Sequence, residues 1–290
     1  MNTVTDFLKT YKTTTFRMPE VVNAFENAYS LYCRLKRTEE KRPNQLIQIL
    51  PHFKDYEKYE IGYFLEHRNK DGSVIASKND FRRFLKAGDY LLTAEPGENN
   101  MCSQNVTFKS LSYTFDTQFF HFWGNYFSEH FPQELVRFYF NVKPHFAVNW
   151  VNFFRIHLGE NSFFFQAKIH HLSSQTSRAD NAVIYINRKD IPDFLVILKK
   201  LVLKFPHYME DMTPFFLLKI GPGIGFGENP QDPSESFGSY RCRQIIHLME
   251  AKPACRVSEI LLSLKHNGFD IEKFYLNPFS PHSYDFSGLD

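Results

Sequence analysis

No two of the four cysteines, Cys33, Cys102, Cys242 and Cys255, stand in a CxxC pair. No spacing among them suggests a zinc site, so they are expected to be reduced core thiols. An uninterrupted apolar run is missing as well: Phe194 to Phe205 is split by Lys199, Lys200 and Lys204. A membrane-spanning helix is therefore not expected. Nothing after Met1 joins a basic segment to an apolar one, so no signal peptide is expected and the chain is placed in the cytoplasm. Charge of one sign is lacking too. With 34 basic and 32 acidic residues the balance is +2, too weak a field to argue for nucleic acid or an anionic membrane as partner. The glycines from Gly221 to Gly227 have no Gly-Lys-Ser/Thr ending and no acidic follow-up after a strand, which excludes a phosphate loop or dinucleotide fingerprint by motif. No Pro-, Gly- or Ser-rich linker and no internal repeat divides the chain.

What is present is a globular composition. At 290 residues and 43% hydrophobic the chain can bury a substantial core as one large domain or two modest ones. The 32 Phe and 15 Tyr fit thick strands and a rigid interior but name no ligand. Helical spacing is expected over Pro19 to Arg37, Val148 to His157, Asp190 to Phe205 and Val257 to His266, the last stopping at an Asn267-Gly268 cap, and over a shorter stretch around Ile245 to Met249. Asn79 to Leu85 is read as a short helix. Strands are expected at Asp89 to Ala94, Val106 to Phe115, Val136 to Asn141, Phe163 to Ile169 and Ala182 to Ile186, with Gly221 to Pro230 as a loop. The fold class is α+β: a twisted, mainly antiparallel sheet around residues 90 to 186 with flanking helices, divided into an N-terminal region 1–110, a possible substrate-binding part, and a main domain 111–290.

Two apolar strands carry lone cations, Arg137 and Lys168. A lysine beside Phe163-Phe-Phe165 must turn its amine to a wet face or lose solvation, and lost solvation lowers its pKa. In Ser177-Arg-Ala-Asp180, Arg178 stands at the mouth of a strand, where Asp180 can orient the guanidinium or cap a turn. Arg241 and Arg243 follow the glycine-rich loop, which is read as delivering both to one place. At i and i+2 they share an anion only if they precede or straddle a helix start. Lys168, Arg178, Arg241 and Arg243 suit a dianion held beside a base, because arginines grip phosphate oxygens bidentately and their field favours a neutral lysine. His157, His170 and His171 with Asp180 do not assemble into a metal site, since strand alternation sends His170 and His171 to opposite faces. No metal and no cofactor are expected.

Five segments together resemble the HopA1 family: Arg137-Phe-Tyr-Phe-Asn141, the Phe-x-x-Lys168 strand, Arg178-Ala-Asp-Asn-Ala-Val-Ile-Tyr185, Gly-Ile-Gly-Phe-Gly-Glu-Asn-Pro230 and Ser236-Phe-Gly-Ser-Tyr-Arg-Cys-Arg243. The resemblance covers about residues 110 to 285. It implies a link to phosphothreonine lyases and a phosphothreonine-lyase-like fold. It also implies removal of phosphate from phosphoserine or phosphothreonine without water, in lanthipeptide or thioamitide pathways where a partner kinase phosphorylates a precursor peptide. Members also occur as type III secretion effectors, so a host protein is an alternative substrate, secretion into a host cell an alternative location, and a non-catalytic peptide-binding scaffold an alternative role. By resemblance Lys168 is the base at Cα, and Arg178, Arg241 and Arg243, with Arg137, bind phosphate. The lyases carry Lys-x-His on the strand before the base, where this chain has Arg137-Phe-Tyr139. The acid is then Tyr139, a nearby histidine, or dispensable, because arginines can neutralise the leaving phosphate directly.

Overall fold

The computed structural model describes residues 3–15, 24–34, 36–37, 59–95, 103–126, 134–159, 164–171, 176–232, 234–252 and 254–289. In chain order these form α1 (Val4–Thr15), α2 (Ala24–Tyr32), β1 (Lys36–Arg37), β2 (Tyr59–Arg68), β3 (Val74–Lys78), β4 (Phe81–Leu85), β5 (Tyr90–Glu95), β6 (Ser103–Lys109), β7 (Leu111–Phe115), β8 (Phe119–Gly124) and β9 (Leu135–Phe140). The remainder comprises α3 (Ala147–Gly159), β10 (Phe165–His170), β11 (Thr176–Ser177), β12 (Ala182–Asn187), α4 (Ile191–Lys204), β13 (Leu218–Gly221), β14 (Ile224–Glu228), α5 (Phe237–Ala251) and α6 (Val257–His266). Antiparallel sheets with flanking helices are the α+β class expected from the sequence. The start of the Pro19 helix lies outside the described residues.

The chain folds as two compact units, each built from separated stretches: Met1–Arg42, Pro132–Pro144 and Ser173–Asp290 form one, Pro43–Phe131 and His145–Leu172 the other. In the first unit the antiparallel ladder runs β13-β14-β9-β12. Its strand β9 is covered on both sides, so all of Val136 to Phe140 is buried. Successive side chains of a strand point to opposite faces, and here the faces differ in kind. Phe138 packs on Phe194 of α4 and Phe226 of β14, at 4.6 and 5.3 Å between ring centroids. Arg137 and Tyr139 take the other face, toward a core of Phe7, Tyr32, Phe216, Phe237, Ile245 and Leu264 contributed largely by α1, α2, α5 and α6. Cys33 and Cys242 are buried in this core, and desolvation pushes the Cys33 thiol up to about 12.

In the second unit a five-stranded antiparallel sheet, ordered β4-β3-β2-β6-β5, closes over Tyr63, Val74, Ala76, Leu85, Val106 and Phe108. A separate antiparallel ladder pairs β7 with β8 and β8 with β10. Helix α3 packs against it through Trp150, whose ring lies 6.3 Å from Phe122.

Two expectations are overturned. The stretch Asn79 to Leu85 is not a helix: Phe81–Leu85 is β4, paired with β3 from Lys78↔Phe81 to Val74↔Leu85. Asn79 takes φ +53, a left-handed position that asparagine tolerates and that closes a hairpin in two residues. Nor is Gly221 to Pro230 a loop. Ile224–Glu228 is a buried strand paired with β9 along its whole length. Gly223 makes the turn at φ +65, where a Cβ would stand 2.0 Å from the Glu210 carbonyl oxygen, so only glycine fits.

Candidate functional site

Strand β9 turns Arg137 and Tyr139 to the same face, and the first unit gathers a polar cluster around them. Arg137 is 3% exposed. Its Nε donates to Asn229 Oδ1 at 2.7 Å, Nη2 to the Glu235 carbonyl oxygen at 2.9 Å, and Nη1 to the Tyr139 hydroxyl at 3.5 Å. The guanidinium lies over the Tyr185 ring, 5.0 Å from its centroid, and Tyr185 stands directly opposite Arg137 across β12 and β9. Asn229 belongs to the Gly-Glu-Asn-Pro segment at the end of β14, so that motif serves to hold Arg137. Its glutamate has another role: the buried Glu228 carboxylate accepts from Asn277 N, Ser280 Oγ and Tyr284 Oη and fastens the C-terminal segment.

The Tyr139 ring packs on Phe237, with centroids 6.1 Å apart. Burial raises the phenol pKa above its ordinary value and outweighs the opposing Arg137 charge, so the hydroxyl keeps its proton at neutral pH. Nearby in the same unit, Arg178 donates from Nε and Nη2 to the two oxygens of Asp180, both at 2.9 Å, and from Nη2 to Tyr29 Oη at 2.8 Å. Burial alone would lower the Arg178 pKa, but the Asp180 carboxylate reverses that and raises it. The orienting role read for Asp180 is the one seen.

Arg241 and Arg243 do not reach a shared place. Both lie well inside α5, whose first turn is capped by Ser236 accepting from Ser239 N, and two residues of helix turn side chains roughly 200° apart. Arg241 points inward and is 0% exposed. Its Nε donates to the Phe274 carbonyl at 3.0 Å, and its Nη2 to the Leu276 carbonyl at 2.7 Å and Asn277 Oδ1 at 3.2 Å. Aromatic rings of Phe237, Tyr240, Phe269 and Phe274 surround it, and desolvation lowers its pKa to about 10. Arg243 points outward, 62% exposed, and pairs with Glu235 at 2.8 Å.

Lys168 belongs to the second unit. On β10 the alternation buries Phe165, Ala167 and Ile169 and leaves Lys168 half-buried on the wetter face with Gln166 and His170, so the lysine turns to the wet side. Its Nζ lies 4.7 Å from the Phe119 ring centroid. Directly opposite on β8 stands His121, whose Nε2 is 2.6 Å from Asp116 Oδ2. Among the described residues no group of three or more His, Cys, Asp or Glu is arranged to hold a metal ion.

Reasoning from the sequence missed Asn229, Tyr29 and Tyr185 as partners of the two arginines. Asn229 stood in one of the five segments that carry the family resemblance. The tyrosines gave no local signal, because Tyr29 meets Arg178 across 149 positions of chain.

Compared with known proteins, residues 110–276 match the model described as the HopA1 effector protein family, more than half of the chain. No curated protein matches it. Among solved structures, an effector protein from Pseudomonas syringae pv. tomato strain DC3000 matches at TM-score 0.58 and 15% identity, covering 93% of this chain and 96% of that one. A second, from Pseudomonas syringae pv. syringae strain 61, matches at TM-score 0.55 and 15% identity, covering 94% of each. At that identity the likeness is one of fold.

Proposed function

This chain belongs to the HopA1 effector protein family, and from that premise we propose that it is a phosphoserine/phosphothreonine lyase. Its substrate in this reading is a kinase-phosphorylated precursor peptide of ribosomal natural-product biosynthesis, of lanthipeptide or thioamitide type. The observation that carries the reading is the Arg137–Tyr139 pair: a buried guanidinium beside a buried phenol that keeps its proton. Elimination is served by these two functions together. A phosphate dianion leaving Cβ must have its charge met, and the oxygen of the broken bond is a better leaving group when it receives a proton.

The step balances without water. The base, a role that the resemblance gives to Lys168, takes the Cα proton; that electron pair becomes the Cα=Cβ bond; the Cβ–O bond breaks; and phosphate departs with its electrons and, where an acid serves it, a proton from that acid. Arg137 and Arg178 are assigned to the phosphate. Arg241, closed off among aromatic rings and backbone carbonyls, is assigned to holding the site's scaffold, and Arg243 to its surface. The product is a dehydroamino acid, an electrophile, so a thiol added to the reaction with a phosphothreonine peptide forms a covalent adduct. Unmodified peptide, or peptide carrying its free hydroxyl again, contradicts the lyase.

A second reading is a peptide-binding or effector scaffold without catalysis. The burial of the Arg137–Tyr139 pair favours it, because the two side chains are only 3% and 5% exposed. This scaffold binds a phosphopeptide and returns it unchanged.

A further inference from the structure

The family match begins at residue 110, yet the polar cluster of the first unit is completed from far upstream. Helix α2 is stitched to the segment that carries Arg178. The Ala179 N–H donates to the Cys33 carbonyl at 2.9 Å, and Phe215 N–H to the Tyr32 carbonyl at 3.1 Å. Between these, Tyr29 Oη accepts from Arg178 Nη2 at 2.8 Å, with the guanidinium 5.2 Å from the Tyr29 ring centroid. The tyrosine ring is held in turn by stacks on Phe25 and Tyr32, at 6.0 and 5.7 Å.

From this arrangement we infer that Tyr29 is a positioning residue for the anion site. Its hydroxyl, together with Asp180, fixes the Arg178 guanidinium so that Nη1, which makes neither of these bonds, is presented to a phosphoryl oxygen. Helix α2 is thereby part of the site rather than an appendage to it. The inference rests on the phosphate-binding part of the function proposed above, not on the elimination.

Geometry supports the assignment in two ways. Asp180 grips Arg178 from one side through Nε and Nη2, so its plane is free to rotate about the carboxylate only until a second, non-collinear partner stops it. Tyr29 supplies that partner. A rigid fork loses less conformational freedom when it grips an anion than a mobile one does. The second support is Tyr32, one turn further along α2. It is 1% exposed, and its hydroxyl has no hydrogen-bond partner. A polar group sealed without a partner costs stability, and the hydroxyl is kept here although burial above all, and the Asp180 carboxylate with it, raise its pKa. The ring lies so close to Gly238 that a Cβ there would stand 2.0 Å from it.

The test uses the full chain with N-acetyl-phosphothreonine amide as probe and N-acetyl-threonine amide as control, and affinities are read by NMR titration. Tyr29→Phe keeps the ring and removes only the bond to Arg178. The expected result is a loss of about tenfold in affinity for the phosphorylated probe, the size of one charge-assisted hydrogen bond, and no change for the control. In an Arg178→Ala background the same substitution is expected to cost nothing more. An unchanged affinity, or an equal loss with and without Arg178, overturns the inference, since a purely structural tyrosine would behave so. Should Tyr29→Phe not fold, the wild-type Arg178 Nε–H resonance decides: it must shift on adding the phosphorylated probe and stay put with the control. A wild type that binds the phosphorylated probe but never eliminates phosphate removes the lyase and leaves this inference standing.

Discussion

A guanidinium sealed from water has five N–H donors to satisfy and no way to shed its proton, so the partners it chooses reveal what it is for. Arg241 spends its donors on two backbone carbonyls and Asn277, all in the segment that crosses α5. Arg241→Met is therefore expected to cost about 3–5 kcal/mol, as for one partner lost from a buried polar pair, and thermal unfolding is the measurement. Arg137 also engages Asn229 and the Glu235 carbonyl, but one of its nitrogens turns to the Tyr139 hydroxyl. Tyr139→Phe keeps the ring against Phe237 and should leave the melting temperature close to wild type, while lowering the elimination rate roughly a hundredfold, the lower end for a general acid. His121→Asn, measured beside it, separates the two proton donors. If the loss follows His121, the acid is the histidine opposite Lys168. At this scale the sequence was informative: Lys168 and Arg137 stood out by polarity in apolar strands, and Arg178 with Asp180 by their place at a strand mouth. Side-chain direction did not, and it splits Arg241 from Arg243.

Among elements, β14 and α5 carry the most specific motifs of the chain, and their glycines explain why. On β14, a side chain at Gly225 or Gly227 would meet Leu217 or Phe237 below ordinary contact distance. On α5, Gly238 lets Tyr32 of α2 lie flat against the helix. Gly238→Ala is expected to destabilise by about 1–3 kcal/mol through overpacking, and by chemical denaturation the loss should shrink in a Tyr32→Ala background, where the clash is gone. A glycine-rich segment reads as a loop because glycine disfavours strands as well as helices. Here close packing against Leu217 and Phe237 explains Gly225 and Gly227, and the turn explains Gly223. The misread helix at Asn79 to Leu85 has another cause: Phe81 and Phe84 stand at helical i, i+3 spacing, against strand alternation, and the Asn79 turn with the pairing to β3 overrides it.

At the scale of the whole molecule, the class of fold and most long helices were legible, because amphipathic periods of ten or more residues are unambiguous; α6 runs from Val257 to His266 as its spacing implied. How the chain is partitioned was not legible. The first compact unit joins residues 1–42 to 132–144 and 173–290, and contacts such as Tyr29 with Arg178 leave no trace in local sequence. A consequence is that a chain shortened to residues 111–290 should lose phosphothreonine binding together with much of its stability, since Phe7 and Tyr32 of the core go with α1 and α2. The same titration with the phosphorylated amide checks it. The central claim concerns chemistry and needs one measurement: the mass of a phosphothreonine peptide after incubation with the wild-type chain and with Lys168→Ala. The lyase account predicts a product one water lighter than the unphosphorylated peptide, formed by wild type and slowed at least roughly a hundredfold by Lys168→Ala. A peptide that keeps its phosphate, or one that returns to the mass of the free hydroxyl, would contradict it.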